Sequence, residues 1–322
     1  MNPPAVTAAH FEAHWAQLKT AFDRDAPAVV GHYFARTLDV DLTRVQRLIV
    51  EGKSVRGCLV LLVCEALGGR PRDALPRAVL LECVQAATLV HDDIVDSDAL
   101  RRGAPALWTE IGERRAVLLG DLMFATALVH AARLSHADVC TLAEAIATVA
   151  SGAYREPMDA RDLAAVPAAA HASLYERLIH CKTGALFGAA GELGALAAGA
   201  SGSRREAAIA FATHLGEAYQ MADDVTDLLC PSFAPRTAQS AAALAVLSTH
   251  FAPEAGNERA AGACAAAIDP SRLAMRVKRE IDRRVALARA QVDAFATGTA
   301  AELLHAAAEF IVAVHAPAPR AT

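Results

Sequence analysis

Two acidic quintets of the form DDxxD, at Asp92, Asp93, Asp96 and at Asp223, Asp224, Asp227, lie 131 positions apart, and each closes a mostly apolar run with helical spacing. Carboxylates four residues apart share one face of a helix, so Asp92 with Asp96 and Asp223 with Asp227 form two paired sets while each middle aspartate points partly away. A helix C-terminus is already negative, and a carboxylate beside apolar surroundings is costly when unpaired. One quintet alone is more often a solvated helix end than a site. Two call for a fold that brings two helix ends together, with a cation between them. An all-oxygen ligand set that keeps water and takes up phosphate suits Mg2+, whereas Zn2+ recruits His or Cys. The six aspartates are therefore the candidate metal ligands.

The remaining pattern agrees with an all-α chain. Alanine is abundant, aromatic residues are 5%, and β-branched residues form no regular alternating runs. Apolar residues recur at helical spacing over 11–22 and over 42–67, the second run being broken by the glycines of GKSVRG. A long helix is expected over 75–96, opened by Pro76, and another over 113–134. Further helices are expected over 138–156, 167–200, 204–229, 237–250, 257–267, 271–296 and 299–315, with a loop at 231–240. A hydrophobic share of 54% supports a large core, and no linker splits the 322 residues, so a single domain over 1–322 is expected, with a mobile segment at 1–10.

Charge and cysteine usage narrow the function classes. The formal charge is −5, and four of the 31 basic residues are lysines, which argues against a nucleic-acid binder. Seven cysteines, an odd number without metal-ligand pairing, read as small core residues in a reducing compartment. No basic-then-apolar leader opens the chain and no uninterrupted apolar stretch approaches ~20 residues. A cytoplasmic protein without a membrane span is expected.

Positive charge is concentrated where phosphate could be met. Lys53 and Arg56 stand in GKSVRG, whose Gly52 and Gly57 permit close backbone approach, and Arg101 with Arg102 follows the first quintet. Each pair alone is compatible with ordinary surface charge. Lys182 is sharper: in the apolar run LIHCKTGALFGAAG an uncompensated ammonium is expensive, so it should meet an anion, the plainer role being a snorkelling lysine.

Taken in order, GKSVRG, HDDIVDSDALRRG, the GD of LLGDLMFATA, KTG and YQMADDVTD resemble the trans-isoprenyl diphosphate synthase, or polyprenyl synthetase, family over about residues 45–230. The resemblance implies an all-helical homodimer with the isoprenoid-synthase bundle around a central cavity. It implies three Mg2+ ions and an allylic diphosphate held between Asp92, Asp96 and Asp223, with Lys182 completing the catalytic group. Lys182, Thr183, Gln220 and Arg101 would hold the allylic diphosphate, and Gly52, Lys53, Arg56 and Arg102 isopentenyl diphosphate. The reaction implied is 1'-4 condensation of the two, giving a trans-prenyl diphosphate similar to that of the geranylgeranyl diphosphate synthases.

In this family, residues before the first quintet line the tunnel for the growing chain. Ala87 and Thr88 are not aromatic, so no floor closes the tunnel at once and a product of C20 or longer is expected; Val84 and Leu81 lie farther along the helix. Met123 and Phe124 are equally placed to set depth or merely to fill the core. The sequence departs from the family twice. Its Glu-x-x-His stretch reads Glu82 to Gln85 here, which leaves Gln85 as the substrate contact. The Gly-Lys segment beyond the second quintet is missing, and no lysine occurs between Lys182 and Lys278; Arg236 matches it in charge but not in geometry. Two alternatives stay open: a terpene synthase of prenyltransferase-like fold that needs no isopentenyl diphosphate, and a noncatalytic subunit that binds an isoprenoid diphosphate beside a catalytic partner.

Overall fold

The computed structural model describes residues 7–35, 41–101, 103–229, 238–251 and 270–313. The helix expected over 257–267, Arg236, Arg102 and the side chain of Asp227 lie outside the described residues. Fourteen helices are present among the described residues, with one hairpin of two two-residue strands and one π turn.

Helix α1, Ala8–Phe34, starts on Thr7, whose side chain accepts from the His10 N–H at 3.2 Å, so residues 8–10 of the expected mobile segment are helical instead. It also runs past residue 22 and through Pro27. Phe11, Leu18, Phe22, Ala26 and Val30 continue the buried stripe, and that packing outweighs one missing ladder bond. The run over 42–67 divides as expected into α2 (Leu42–Val50) and α3 (Val55–Ala66). Helix α4, Pro71–Val95, opens at Pro71 rather than Pro76, which it accommodates internally. The hairpin of β1 (Leu100–Arg101) and β2 (Ala104–Pro105) follows, an element absent from the all-α expectation. Then come α5 (Leu107–Ile111), α6 (Glu113–Leu134) and α7 (His136–Arg155).

A short, unexpected α8, Ala160–Ala165, is capped by Asp159, which accepts from the backbone of Arg161 and Asp162 at 2.7 and 2.9 Å. The single helix expected over 167–200 is continuous but interrupted by a π turn. Helix α9 (Ala168–Ile179) passes into a π turn, His180–Gly184, and continues as α10 (Ala185–Ala197). One extra residue turns the following helix face by about 100°, but α10 is buried nearly all round and has no single stripe to show the shift; such turns recur at functional sites. Helices α11 (Gly202–Leu229), α12 (Ala238–His250), α13 (Pro270–Val292) and α14 (Thr299–Ala313) complete the chain.

Helix α10 lies between α3, α4 and α11 and is buried nearly all round, from Leu186 and Phe187 to Leu193 and Ala195. Its approach to α11 depends on Gly191: a Cβ there would stand 2.3 Å from the Ala208 carbonyl oxygen. On α11, Ala208, Phe211, Ala212, Leu215, Ala218, Met221 and Ala222 form the matching stripe. This packing places the C-terminal ends of α4 and α11 on one cavity.

Helix α6 has the length and mean composition of a membrane-crossing helix, although Asp121 and His130 interrupt its apolar residues as expected. Only 28% of its most apolar window is buried, and Val117, Leu118 and Val129 are exposed.

Candidate active site

A cavity of about 1030 Å3 is lined by both acidic helix ends, the π turn, α7, α9, α12 and the GKSVRG segment. Its volume exceeds that usual for a single drug-sized ligand. From the first quintet Asp92 and Asp96 line it, and from the second Asp223 and Asp224; Lys182, Thr183, Gln220 and Arg101 border the same space. Gly52, Lys53, Arg56 and Gln85 line the cavity as well.

The middle aspartates are each held by a neighbour, Asp93 away from the cavity and Asp224 on its wall. Asp93 is buried, lies outside the cavity lining and accepts a hydrogen bond from the Arg101 Nε on β1. Asp224 accepts from the Tyr175 hydroxyl at 2.6 Å and from Gln220 Nε2 at 3.0 Å, and Thr183 Oγ1 donates to Gln220 Oε1 at 2.5 Å. A chain of side chains thus runs from the π turn through Gln220 to Asp224.

Electrostatics in the cavity are unbalanced. Burial raises the Asp92 carboxyl to about 6, with Lys182 opposing and Asp96 adding to the rise. Asp224 is likewise raised to about 6 by burial, against the hydrogen bonds from Tyr175 and Gln220. For Lys182, burial favours the neutral amine, but Glu156, Asp92, Asp96 and Asp224 together outweigh it and raise its pKa. Its ammonium reaches Glu156 at 3.4 Å. It thus stands among carboxylates, with its side chain 50% exposed and lining the cavity.

At the GKSVRG wall, Ser54 precedes α3 with φ of +44°, a left-handed conformation that costs about 1–2 kcal/mol for a residue with a Cβ. Its Oγ, Arg56 Nε and Gln85 Oε1 are buried and have no hydrogen-bond partner among the described residues. The Arg56 guanidinium stands 5.0 Å from the Phe187 ring centroid, and burial lowers its pKa against the pull of Glu82. Glu82 accepts from the Gly57 N–H at 2.7 Å, satisfying one free donor of the first turn of α3. Three buried polar atoms without partners beside a strained residue mark a place built for a polar ligand.

Of the candidate tunnel residues, Thr88 lines the cavity, whereas Leu81, Val84 and Ala87 are fully enclosed in the core and outside its lining. Met123 and Phe124 also lie outside it. The apolar wall comes instead from Leu89, Val149, Leu178, Ile179, Leu244 and Leu247. The sequence reading missed Glu156, Tyr175 and Ser54. Tyr175 stands seven positions before Lys182, two turns back along the same segment, which was the available signal; Ser54 stands within GKSVRG beside the charged residues that drew the reading.

No group of three or more His, Cys, Asp or Glu side chains among the described residues is close enough to hold a metal by itself. The donors that face the cavity are nevertheless all oxygen, and the carboxylates of Asp92 and Asp224 lack sufficient counter-charge. That arrangement fits Mg2+ taken up through one or two carboxylates together with substrate phosphate oxygens.

The profile of the family described as Polyprenyl synthetase matches residues 42–233. The chain is 32% identical over 212 residues to a geranylgeranyl diphosphate synthase of Methanosarcina mazei, covering 63% of this chain and 64% of that protein. It is 39% identical over 178 residues to a (2E,6E)-farnesyl diphosphate synthase of Mycobacterium bovis, covering 54% and 48%. The matches thus span between about half and just under two thirds of these curated relatives. The fold is that of the Caulobacter crescentus polyprenyl synthase crystallised with calcium and isoprenyl diphosphate, at a TM-score of 0.70, 22% identity and coverage of 96% and 98% of the two chains.

Proposed function

This chain belongs to the polyprenyl synthetase family, and from that premise we propose that it joins isopentenyl diphosphate to an allylic diphosphate in a Mg2+-dependent 1'-4 condensation. The observation that carries this reading is the shared cavity, lined both by the acidic helix ends with Lys182 and by Ser54, Arg56 and Gln85 with their buried unpartnered atoms. A synthase needs two diphosphate subsites, and a cyclase only the acidic one.

In this reading Lys182, Thr183, Gln220 and Arg101 orient the allylic diphosphate, while Gly52, Lys53, Arg56, Arg102 and Gln85 hold isopentenyl diphosphate. Asp92, Asp96 and Asp223, with Asp224 and Asp227 in support, would hold the Mg2+, three ions in all, whose charge favours departure of pyrophosphate, while Asp93, bonded to Arg101 outside the cavity lining, would not. The allylic C–O bond breaks, the isopentenyl alkene attacks the resulting cation, and loss of a proton restores an alkene. Leu89, Val149, Leu178 and Ile179 shelter the cation from water. Thr88, small and unringed at the wall, is consistent with a product of C20 or longer.

The exposed apolar face of α6 supports a homodimer, since a second copy would cover Val117, Leu118 and Val129. Leu118→Asp is expected to shift the protein toward monomer in sedimentation velocity; an unchanged distribution removes this face from the interface.

The lysine-free stretch from Thr183 to Val277, with Ala243, Leu244, Val246 and Leu247 of α12 on the cavity, favours a terpene synthase as the second reading. Incubation with Mg2+ and geranyl, farnesyl or geranylgeranyl diphosphate, with and without isopentenyl diphosphate, separates the two. Extended diphosphates are expected. A hydrocarbon or alcohol formed without isopentenyl diphosphate, and no extended product, overturns the condensation.

A further inference from the structure

Behind the π turn, on the side away from the cavity, lies a carboxylate that the site does not use. Glu217 of α11 has 8% of its side chain exposed and is outside the cavity lining. Its Oε1 faces His180 Nδ1 at 3.2 Å, and its Oε2 faces His214 Nδ1 at 3.4 Å and accepts from Arg284 of α13. Arg284 continues to Glu280 at 2.9 Å and to Glu176 of α9 at 3.4 Å. One carboxylate therefore ties α11 to α13, and through Arg284 to α9, at the segment where α9 becomes the π turn.

The contacts fall on the two ends of that turn. His180 is its first residue; Gly184 is its last, and a Cβ at Gly184 would stand 3.1 Å from Glu217 Cγ, so the glutamate stem occupies the place of a side chain there. Between them Lys182 and Thr183 face the cavity. A π turn has poorer intrinsic geometry than the helices it joins and needs outside support to hold one conformation.

We propose that Glu217 is a positioning residue for the diphosphate site, gripping both ends of the π turn from behind so that Lys182 and Thr183 project into the cavity. The proposal rests on the diphosphate reading of that cavity. Charge-assisted bonds supply the grip: the histidines and Arg284 converge on a buried acceptor that no neutral side chain reproduces.

The test is calorimetric binding of inorganic pyrophosphate in the presence of Mg2+ to the full chain, with amide exchange followed at residues 180–184. Glu217→Gln, which keeps volume and one acceptor oxygen, is expected to weaken binding about 10-fold and to speed exchange in the turn. In a Lys182→Ala background the same change is expected to cost less than about 2-fold, because two residues acting through one contact are not additive. His180→Ala, on a half-exposed side chain, gives the same direction with a smaller effect and stands in if Glu217→Gln fails to fold. Equal weakening in both backgrounds, or unchanged binding and exchange, overturns the positioning role. Failure of the wild type to bind pyrophosphate overturns the diphosphate reading, and this inference with it.

Discussion

The two acidic quintets have the same spelling and different surroundings. In the first, the middle carboxylate of Asp93 is turned out of the cavity and fixed by Arg101 of the hairpin; in the second, Asp224 stays on the cavity wall, held by Tyr175 and Gln220. The hairpin bond anchors a loop, whereas the Tyr175 bond belongs to a chain that reaches Thr183 on the π turn. Equal patterns thus carry unequal duties, and partners decide which.

The largest expected effect tests what the copies share. Asp92→Ala and Asp223→Ala should each reduce Mg2+-dependent turnover by about 100-fold or more, as losses of charge-stabilising groups do. Near-normal turnover in either variant removes that quintet from the metal site.

The next pair tests what they do not share. Tyr175→Phe should cost about 10-fold in turnover, because Asp224 loses an orienting bond. Asp93→Asn should change turnover by less than about 3-fold while lowering the melting midpoint by roughly 3 °C. If the two variants behave alike in both measurements, the quintets are equivalent after all.

Thr88 and Ala87 give a neighbouring contrast on α4, one on the cavity wall and the other sealed in the core. Thr88→Phe should shorten the product by one isoprene unit. Ala87→Phe should instead lower stability by about 1–3 kcal/mol through overpacking, measured by denaturant unfolding. A shorter product from a stable Ala87→Phe protein would place the tunnel along the buried face of α4.

The smallest effect is one of pH and sign. Burial raises Asp92 above its unfolded value, to about 6, so its ionisation disfavours the folded state, and stability present below the unfolded value near 3.8 is lost as pH rises through 6. Asp92→Asn should therefore raise the melting midpoint of the ligand-free protein by about 2 °C at pH 7.5 and by progressively less down to pH 4. Glu217 runs the other way. Burial opposes its charge, but His180, His214 and Arg284 outweigh burial and lower it to about 2, so its contribution is present above 4.5 and fades as pH falls through 2. Glu217→Gln should destabilise at pH 7, with the difference closing in acid; a pH-independent difference would sink the charge argument.

Much of the molecule was legible in the residues. The spans of α6, α11, α12 and α14 follow helical apolar spacing closely, because one packed face leaves a period in the sequence. The convergence of Asp92, Asp96, Lys182 and Asp223 on one cavity agrees with what the motifs imply together. Extension of α1 through Pro27 was not legible, since packing by Phe22, Ala26 and Val30 overrides a local breaker. Nor was the π turn, because α10 beyond it is buried nearly all round and carries no stripe whose phase could shift.

What the sequence determined by itself is the list of charged and apolar groups and the helices that carry them, since spacing along a helix fixes which residues share a face. Which groups lack partners was decided only by tertiary structure. Ser54 is unremarkable as a letter; beside Arg56 and Gln85, which the motifs do single out, it becomes part of a candidate ligand site when burial removes water without supplying hydrogen bonds. Glu217 carries no motif, yet His180, His214 and Arg284, brought together from three separate segments, make it the grip on the π turn. Desolvation and partner geometry are properties of packing, and no period along the chain records them.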